Sequence, residues 1–230
     1  MEYLWEGIKE AIRLIISVDH EVCRTVLLSL RISLTATALA SFVGIPLGFL
    51  ISTHEFPLKR PTITFFNTLL SLPTVVVGLF LYSLLSRQGP LGPLSLLFTP
   101  PAMVIGQFIL ATPIIVALTI SAIQVMDPRV KWTAMTLGAG PVRTALTVFA
   151  ESRFALIGAV IAGFGRVIAE VGAAMMVGGN IKGYTRIMTT AIALETSKGE
   201  FAFALSLGFI LLAVAFSVNI LFHYFQAKRG

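Results

Sequence analysis

Five long apolar segments constrain this chain more than any other feature of its sequence. They span residues 25–51, 62–85, 101–126, 154–177 and 201–225. A helix needs about 20 mainly apolar residues to cross a bilayer, so each segment is long enough to span one. Only 12% of the residues are charged, against about 25% in soluble domains. The sequence therefore predicts an all-α polytopic membrane protein with about five transmembrane helices.

Residues 1–22 predict an amphipathic helix at the membrane interface. Apolar side chains recur there at helical spacing, at Leu4, Ile8, Ile12, Ile15 and Ile16. Charged side chains occupy the other faces, at Glu6, Lys9, Glu10 and Arg13. Tyr3 and Trp5 suit the headgroup region. The segment is acidic at its start, unlike a secretory signal peptide, and residues 23–230 are expected to form the membrane domain.

The charges between the segments predict the orientation of the chain. One set of loops holds eight basic residues, Lys59, Arg60, Arg129, Lys131, Arg143, Arg153, Lys228 and Arg229. It holds three acidic residues, Glu55, Asp127 and Glu151. The opposite set holds seven of each sign. Positive loops favour the cytoplasmic side, so we expect a multi-pass cell-membrane protein with its N-terminus outside and its C-terminus inside.

Several function classes find no support in the sequence. The basic residues form no stripe that would suit nucleic acid. The single cysteine, Cys23, and three scattered histidines predict no metal site. No catalytic arrangement and no phosphate-binding P-loop occurs, so we expect no enzyme activity and no cofactor in this chain. Any drive from ATP must come from another polypeptide.

Residues 127–153 form a polar insert between two apolar segments. Asp127 and Pro128 predict the start of a helix that runs to about Leu137. Gly138 predicts a break, and Pro141 the start of a second helix that ends near residue 150. The insert is either an ordinary helical loop or a docking site for another protein.

The insert resembles the EAA loop of ABC-importer permeases, through T-A-M-T-L-G-A at 133–139. Ala134 and Gly138 match that family's pattern, whereas Trp132 stands in place of its glutamate and Thr133 in place of its first alanine. In the family this loop forms a coupling helix that sits in a cleft of the ATPase subunit. The resemblance implies that the ATPase-coupling residues are Trp132, Thr133, Ala134, Leu137, Gly138, Ala139 and Arg143, with Trp132 as an apolar anchor.

Further segments resemble the molybdate and tungstate permeases, a resemblance that extends from residue 27 to residue 192. They are L-L-S-L-R-I-S-L at 27–34, L-P-T-V-V-V-G-L at 72–79, R-Q-G-P-L-G at 87–92 and G-R-V-I-A-E-V-G-A at 165–173. The resemblance implies a type I ABC importer transmembrane domain. It also implies a homodimer, two ATPase subunits and an extracytoplasmic oxyanion-binding protein. Tungstate is favoured over molybdate as the cargo.

The fourth apolar segment carries two stripes at helical spacing. Small residues form the first, at Ala155, Gly158, Ala162, Gly165, Ala169 and Gly172, and predict close helix packing. The second contains Ala159, Gly163, Arg166, Glu170, Ala173 and Val177. Arg166 and Glu170 are placed to form an ion pair, which is either structural or exposed to a water-filled path. The candidate path residues are Arg166, Glu170, Ala173, Val177, Pro73, Thr74 and Met175.

Two alternatives remain open at this point. An ion-driven secondary transporter could use Arg166 and Glu170 as its coupling site, although such folds usually contain internal repeats and none is visible. A membrane scaffold without transport would leave that intramembrane ion pair without a purpose.

Overall fold

The computed structural model describes residues 2–17 and 19–227, apart from the side chains of residues 2–4, 11, 14, 15, 221–223 and 225–227. Lys228 and Arg229, used above for the orientation, therefore lie outside the described residues, as do the side chains of Tyr3, Leu4 and Ile15. Eleven α-helices and no β-strand occur in the described part. The helices are α1 (Glu2–Ile16), α2 (His20–Thr53), α3 (Lys59–Leu69), α4 (Thr74–Leu85), α5 (Pro100–Val125), α6 (Pro128–Thr136), α7 (Pro141–Glu151), α8 (Arg153–Ile168), α9 (Gly172–Gly178), α10 (Met188–Ser197) and α11 (Phe201–Ala227).

Helix α5 lies at the centre of the membrane domain. It packs most extensively against α2 and also contacts α3, α4, α8 and α9. Glycines allow this close approach, because a Cβ atom at Gly48 of α2 would lie 2.8 Å from both the Thr119 Cβ and the Val116 carbonyl oxygen. Gly163 of α8 likewise allows α8 to approach Ile115 of α5 closely, since a Cβ there would lie 2.9 Å from the Ile115 Cγ1. Glycines on α2 and α8 thus allow both helices to pack closely against α5.

The described helices allow up to five membrane spans, the number predicted from the sequence. Three of the described helices, α2, α5 and α11, are long and apolar enough to cross a membrane. Two bent pairs bring the number to five if each counts as one span: α3 with α4, bent by 95°, and α7 with α8, bent by 62°. The chain is thus an all-α, multi-pass membrane protein.

Two predicted spans are not continuous helices, and this corrects the sequence-based expectation. Residues 62–85 break between Leu69 and Thr74, because Pro73 has no N–H to donate and disfavours helical backbone at the residue before it. Residues 154–177 break between Ile168 and Gly172. Helical periodicity therefore cannot be carried from α8 into α9. The two breaks adjoin each other, because a Cβ at Gly172 would lie 3.0 Å from the Thr74 Oγ1.

The amphipathic N-terminal helix is confirmed as a helix, α1, and packs along α11. A Cβ atom at Gly7 would lie 2.8 Å from the Leu205 Cβ, so the two helices are in close contact there. Trp5, Ile12 and Ile16 remain exposed on the other side of α1. That apolar face is consistent with a position against lipid.

The contact between α2 and α5 leads to a stability prediction. Gly48→Val should destabilise the protein by about 1–3 kcal/mol, because the added carbons overlap Thr119 and the α5 backbone. The measurement is the thermal unfolding midpoint of the detergent-purified protein. Gly208→Val on α11 is the matched control, since no atom lies within 4 Å of a Cβ at that position. Equal midpoints for the two variants would contradict the packing described here.

Candidate coupling surface and translocation path

The polar insert folds as the two helices expected from its sequence, the first of them capped by Asp127. The Asp127 Oδ1 accepts a hydrogen bond from the Arg129 N–H at 2.9 Å, and so caps α6. The chain then reverses at Gly138, whose φ of +82° is a left-handed conformation that favours glycine. The Ala139 N–H donates to the Ala134 carbonyl across this turn at 3.0 Å. The predicted boundaries of α6 and α7 are thereby confirmed.

The insert exposes a large apolar surface. Its exposed side chains are Trp132, Met135, Leu137, Val142 and Leu146. Leu137, at the turn, is 82% exposed. An exposed apolar patch bordered by cations on a polar element is typical of a protein-binding surface.

A groove of about 550 Å³ runs along this surface. It is lined by Arg129, Val130, Thr133, Ala134, Leu137, Ala139, Arg143 and Thr147. Five of the seven coupling residues proposed from the sequence therefore line one groove. Gly138 forms the turn at its end, and Trp132 lies outside the groove lining with 63% of its surface exposed.

The loop between α2 and α3 lies close to the insert and is held by one ion pair. The Lys59 Nζ donates a hydrogen bond to the Glu55 Oε1 at 2.7 Å and another to the Ser52 carbonyl at 2.9 Å. The hydrogen bond from Lys59 and its positive charge hold the pKa of the Glu55 carboxyl below its ordinary value, and the charge of Lys131 adds to the effect. Lys131 thus connects α6 electrostatically with this loop.

Glu170 lies in the break between α8 and α9 and bonds to three parts of the chain. Its Oε2 accepts a hydrogen bond from the Arg166 Nη1 at 2.9 Å, and its Oε1 accepts one from the Ala173 N–H at 3.0 Å. Its backbone carbonyl accepts a hydrogen bond from the Thr189 Oγ1 at 2.7 Å. The carboxylate therefore caps α9 and holds the guanidinium at the same time.

The two members of this ion pair are unequally buried. The side chain of Glu170 is 2% exposed, whereas that of Arg166 is 38% exposed. The pair is thus asymmetric, with a carboxylate inside the subunit and a guanidinium at its surface. Of the two, only Arg166 can meet a solute without rearrangement of the subunit.

The other candidate path residues are divided between core and surface. Ala173 and Val177 are 1% and 0% exposed and pack between α4 and α5. Because both are buried in the subunit, the expectation of one continuous water-facing stripe does not hold for them. Met175 and Pro73 lie at the surface, and Thr74 is half-buried beside Gly172. The prediction assumed one continuous helix, but α8 ends at Ile168. Residues beyond Ile168 therefore do not continue the face that Ala159, Gly163 and Arg166 share on α8.

Helices α4 and α9 form a parallel pair with an uncovered apolar face. The pair begins where Gly172 meets Thr74, and at its far end the Phe98 N–H donates to the Val177 carbonyl at 2.8 Å. Four apolar side chains on α4 are each more than half exposed, namely Val75, Val76, Leu79 and Phe80. Phe80 was not among the residues predicted from the sequence, because a run that is apolar on every side has no periodicity to read.

The small-residue stripe on α8 is also uncovered. Ala155, Ala162 and Ala169 are exposed, and no atom lies within 4 Å of a Cβ at Gly158 or Gly165. Gly172, expected on the same stripe, instead packs against Thr74 and Val75 of α4. The stripe residues from Ala155 to Ala169 thus form a flat helix face that no other part of the subunit covers.

Several proteins of known name are similar to this chain along nearly its full length. The tungstate uptake system permease protein TupB of Peptoclostridium acidaminophilum is 41% identical over 228 residues, which cover 99% of this chain and 100% of that protein. TupB of Campylobacter jejuni is 44% identical over 223 residues, covering 97% and 93%. A probable anion ABC transporter permease protein of Haloferax volcanii is 39% identical over 198 residues, covering 84% and 85%. No protein-family model matches the chain.

The fold is also found in a solved ABC importer. A chain of the MetNI methionine ABC transporter, in an inward-facing conformation, superposes with a TM-score of 0.76 at 14% identity, covering 92% of this chain and 97% of that one. At this identity the likeness concerns the fold alone. The high identity to the named permeases, the all-helical membrane fold and the paired helices of the insert agree with one another. The chain belongs to the oxyanion ABC-importer permease family, which includes the tungstate uptake permeases.

Proposed function

We propose that this chain is the membrane-spanning subunit of an ATP-driven importer of tungstate. The observation that carries the proposal is the identity of 41% and 44% to two tungstate uptake permeases over nearly the whole chain. A tetrahedral dianion needs positive charge along an otherwise apolar path, and Arg166 is a partly exposed cation beside the break between α8 and α9. The chain carries no P-loop, so ATP would be bound by a separate subunit.

The subunit acts as a homodimer in this proposal. The support is the uncovered face of α8, where the stripe residues Ala155, Gly158, Ala162, Gly165 and Ala169 have no close neighbour in the subunit. Small residues let two helix backbones approach closely in a membrane, where packing rather than apolar burial drives association. A second copy that covered this face would bring a second Arg166 towards the same central space.

The groove between α6 and α7 is the docking site for the ATPase subunit. Its lining is apolar at Val130, Ala134 and Leu137 and basic at Arg129 and Arg143. The insert then lies on the cytoplasmic side with the ATPase, and the N-terminus outside. Trp132 contacts the ATPase beside the groove rather than within it, because its side chain lies outside the lining.

Movement of the insert would reach the path through two direct connections. Only Met126 and Asp127 separate α5 from α6, and Ser152 joins α7 to α8. The Ser152 hydroxyl donates to the Val148 carbonyl at 2.9 Å and lies 3.5 Å from the Met126 Sδ, which ties both connections together. A push on α6 and α7 would therefore move α5 and α8 jointly, and with α8 the guanidinium of Arg166.

The outer loops would receive an extracytoplasmic binding protein that delivers the cargo. Arg166 would attract the oxyanion, while Glu170 would hold the guanidinium and reduce its net attraction. A transport site must bind weakly enough to release its cargo. The apolar face of α4 could close the path between transport cycles.

Transport assays test the proposal directly. Vesicles that contain this chain, its ATPase and its loaded binding protein should accumulate tungstate only when ATP is present on the ATPase side. A large excess of unlabelled tungstate should abolish uptake of the labelled anion, and sulfate should compete less well. Accumulation that persists without ATP and follows an ion gradient would instead support a secondary transporter.

The turn of the insert offers a sharp test of the docking site. Gly138→Val should reduce co-purification of the ATPase subunit at least about tenfold, because a β-branched residue at a φ of +82° costs about 1–3 kcal/mol and distorts the turn. Gly140→Val is the matched control. Gly140 has a φ of −65° and no atom within 4 Å of its Cβ position, so valine fits there. Equal loss of the ATPase in both variants would mean that the turn geometry is not what the ATPase recognises.

Variants of Arg166 and Glu170 can separate a structural role of the ion pair from a role in transport. Arg166→Gln and Glu170→Gln should each lower the free energy of unfolding by about 1–3 kcal/mol, because each leaves a charged partner unpaired. The double variant removes both charges while an amide can still accept the Ala173 N–H, so most of that stability should return. Tungstate uptake should remain low in the double variant. Uptake at the wild-type rate would show that the pair is structural only.

A further inference from the structure

A bowl-shaped cavity of about 660 Å³ lies beyond the C-terminal end of α4. Its lining consists of Tyr82, Leu85, Ser86, Arg87, Gln88, Gly92, Ser95, Leu97 and Phe98. The loop that forms it is folded back tightly on α4. The Leu91 N–H donates to the Leu84 carbonyl at 3.0 Å, and a Cβ at Gly89 would collide with the Ser83 carbonyl oxygen. The bowl is therefore a formed feature of the chain.

The charge of this bowl is unbalanced. Arg87 is the only charged residue between Arg60 and Asp127 in the sequence. No acidic side chain lines the cavity, and the ion pairs of the described residues do not include Arg87. The guanidinium is exposed at the edge of a cavity that also presents the amide of Gln88. The unpaired positive charge of Arg87 favours an anion as the ligand of this cavity.

The backbone of the bowl is unusual at two further lining residues. Ser95 and Phe98 have φ values of 50° and 62°, which non-glycine residues adopt rarely. Such conformations concentrate at functional sites, where the surrounding structure holds them in place. Phe98 is held by its ring contact with Tyr82, at 6.2 Å between centroids, and by its packing on Gly179.

The bowl and Arg166 lie at opposite ends of the α4–α9 pair. Arg166 lies next to the break that precedes α9, and the Phe98 N–H donates to the Val177 carbonyl near the end of α9. The 12 residues of α4 give a separation of about 18 Å along the helix axis. The α4 helix between these two levels carries no charge and exposes an apolar face.

We propose that this bowl is a weak binding site for a tetrahedral oxyanion at the outer mouth of the path, with Arg87 as its main donor and Gln88 and Ser95 in support. The inference rests on the proposed import function. An anion released at the bowl would be held near the mouth before it reaches Arg166. An exposed cation without a counter-charge raises the local concentration of anions by about tenfold or more and does so less at high salt.

The test compares Arg87→Gln and Arg87→Lys with Arg13→Gln in vesicles that contain the complete transporter. Arg13 is an exposed cation on α1, paired with Glu10 at 3.6 Å, and serves as the matched control. At low tungstate concentration, Arg87→Gln should reduce the uptake rate about tenfold and remove most of its salt dependence. Arg87→Lys should retain at least about a third of the rate, and Arg13→Gln all of it.

The rate of ATP hydrolysis in the same vesicles distinguishes an anion site from a docking surface for the binding protein. Stimulation by the loaded binding protein should be unchanged in Arg87→Gln if Arg87 acts on the anion. Loss of that stimulation would overturn the proposal and make the bowl part of the binding-protein interface. Wild-type uptake by Arg87→Gln would overturn it as well. The proposed import function has its own test, because accumulation of tungstate by the wild-type transporter without ATP would contradict it whatever Arg87→Gln does.

A lipid phosphate has the same chemistry as the cargo, and a measurement in detergent distinguishes the two. In phosphate-free detergent, added tungstate should raise the thermal midpoint of the wild-type protein but not that of Arg87→Gln. If a headgroup is the ligand, phosphatidylglycerol will give that difference and tungstate will give none, and the proposal is overturned. Without ligand the two proteins should unfold at the same temperature, since Arg87 is exposed.

Discussion

The membrane domain depends on the hydrogen bonds of one buried carboxylate, that of Glu170. A helix that breaks inside a bilayer leaves N–H and C=O groups without partners, and each such group is costly where water is absent. Glu170 accepts the Ala173 N–H at the start of α9 and the guanidinium of Arg166 at the end of α8. Its carbonyl accepts the hydroxyl of Thr189 on α10. This one residue thus provides hydrogen-bond partners on both sides of the break and links α8, α9 and α10.

The second break lies beside the first, and this determines the shape of the candidate path. Gly172 is in contact with Thr74 and Val75, so α4 and α9 start at the same level and run side by side. Close packing of Gly78 on Ala173 keeps them together, since a Cβ there would lie 2.8 Å from the Ala173 Cα. The pair therefore presents one continuous surface between Arg166 and the bowl, rather than two independent loops.

Much of the fold followed from local signals in the sequence, and the remainder required tertiary contacts. Asp127, Pro128 and Gly138 gave the ends of α6 and the turn because caps and left-handed glycines act within a few residues. The burial of Ala173 and Val177 was not predictable, because it depends on a break whose stabilising contacts come from α4 and α10. The position of Trp132 outside the groove likewise depends on how α6 and α7 meet, whereas five of the other candidate coupling residues line the groove.

The length of α9 has a consequence for how the chain is built into a membrane. Its seven residues extend about 10 Å, a third of the hydrocarbon thickness. Such a segment cannot partition into lipid as an independent span, whatever its composition. It reaches its position only where α4 and α5 are already present to pack against Ala173 and Val177. Biogenesis of this protein therefore includes a step in which this half-helix is inserted by folding against spans that precede it in the chain.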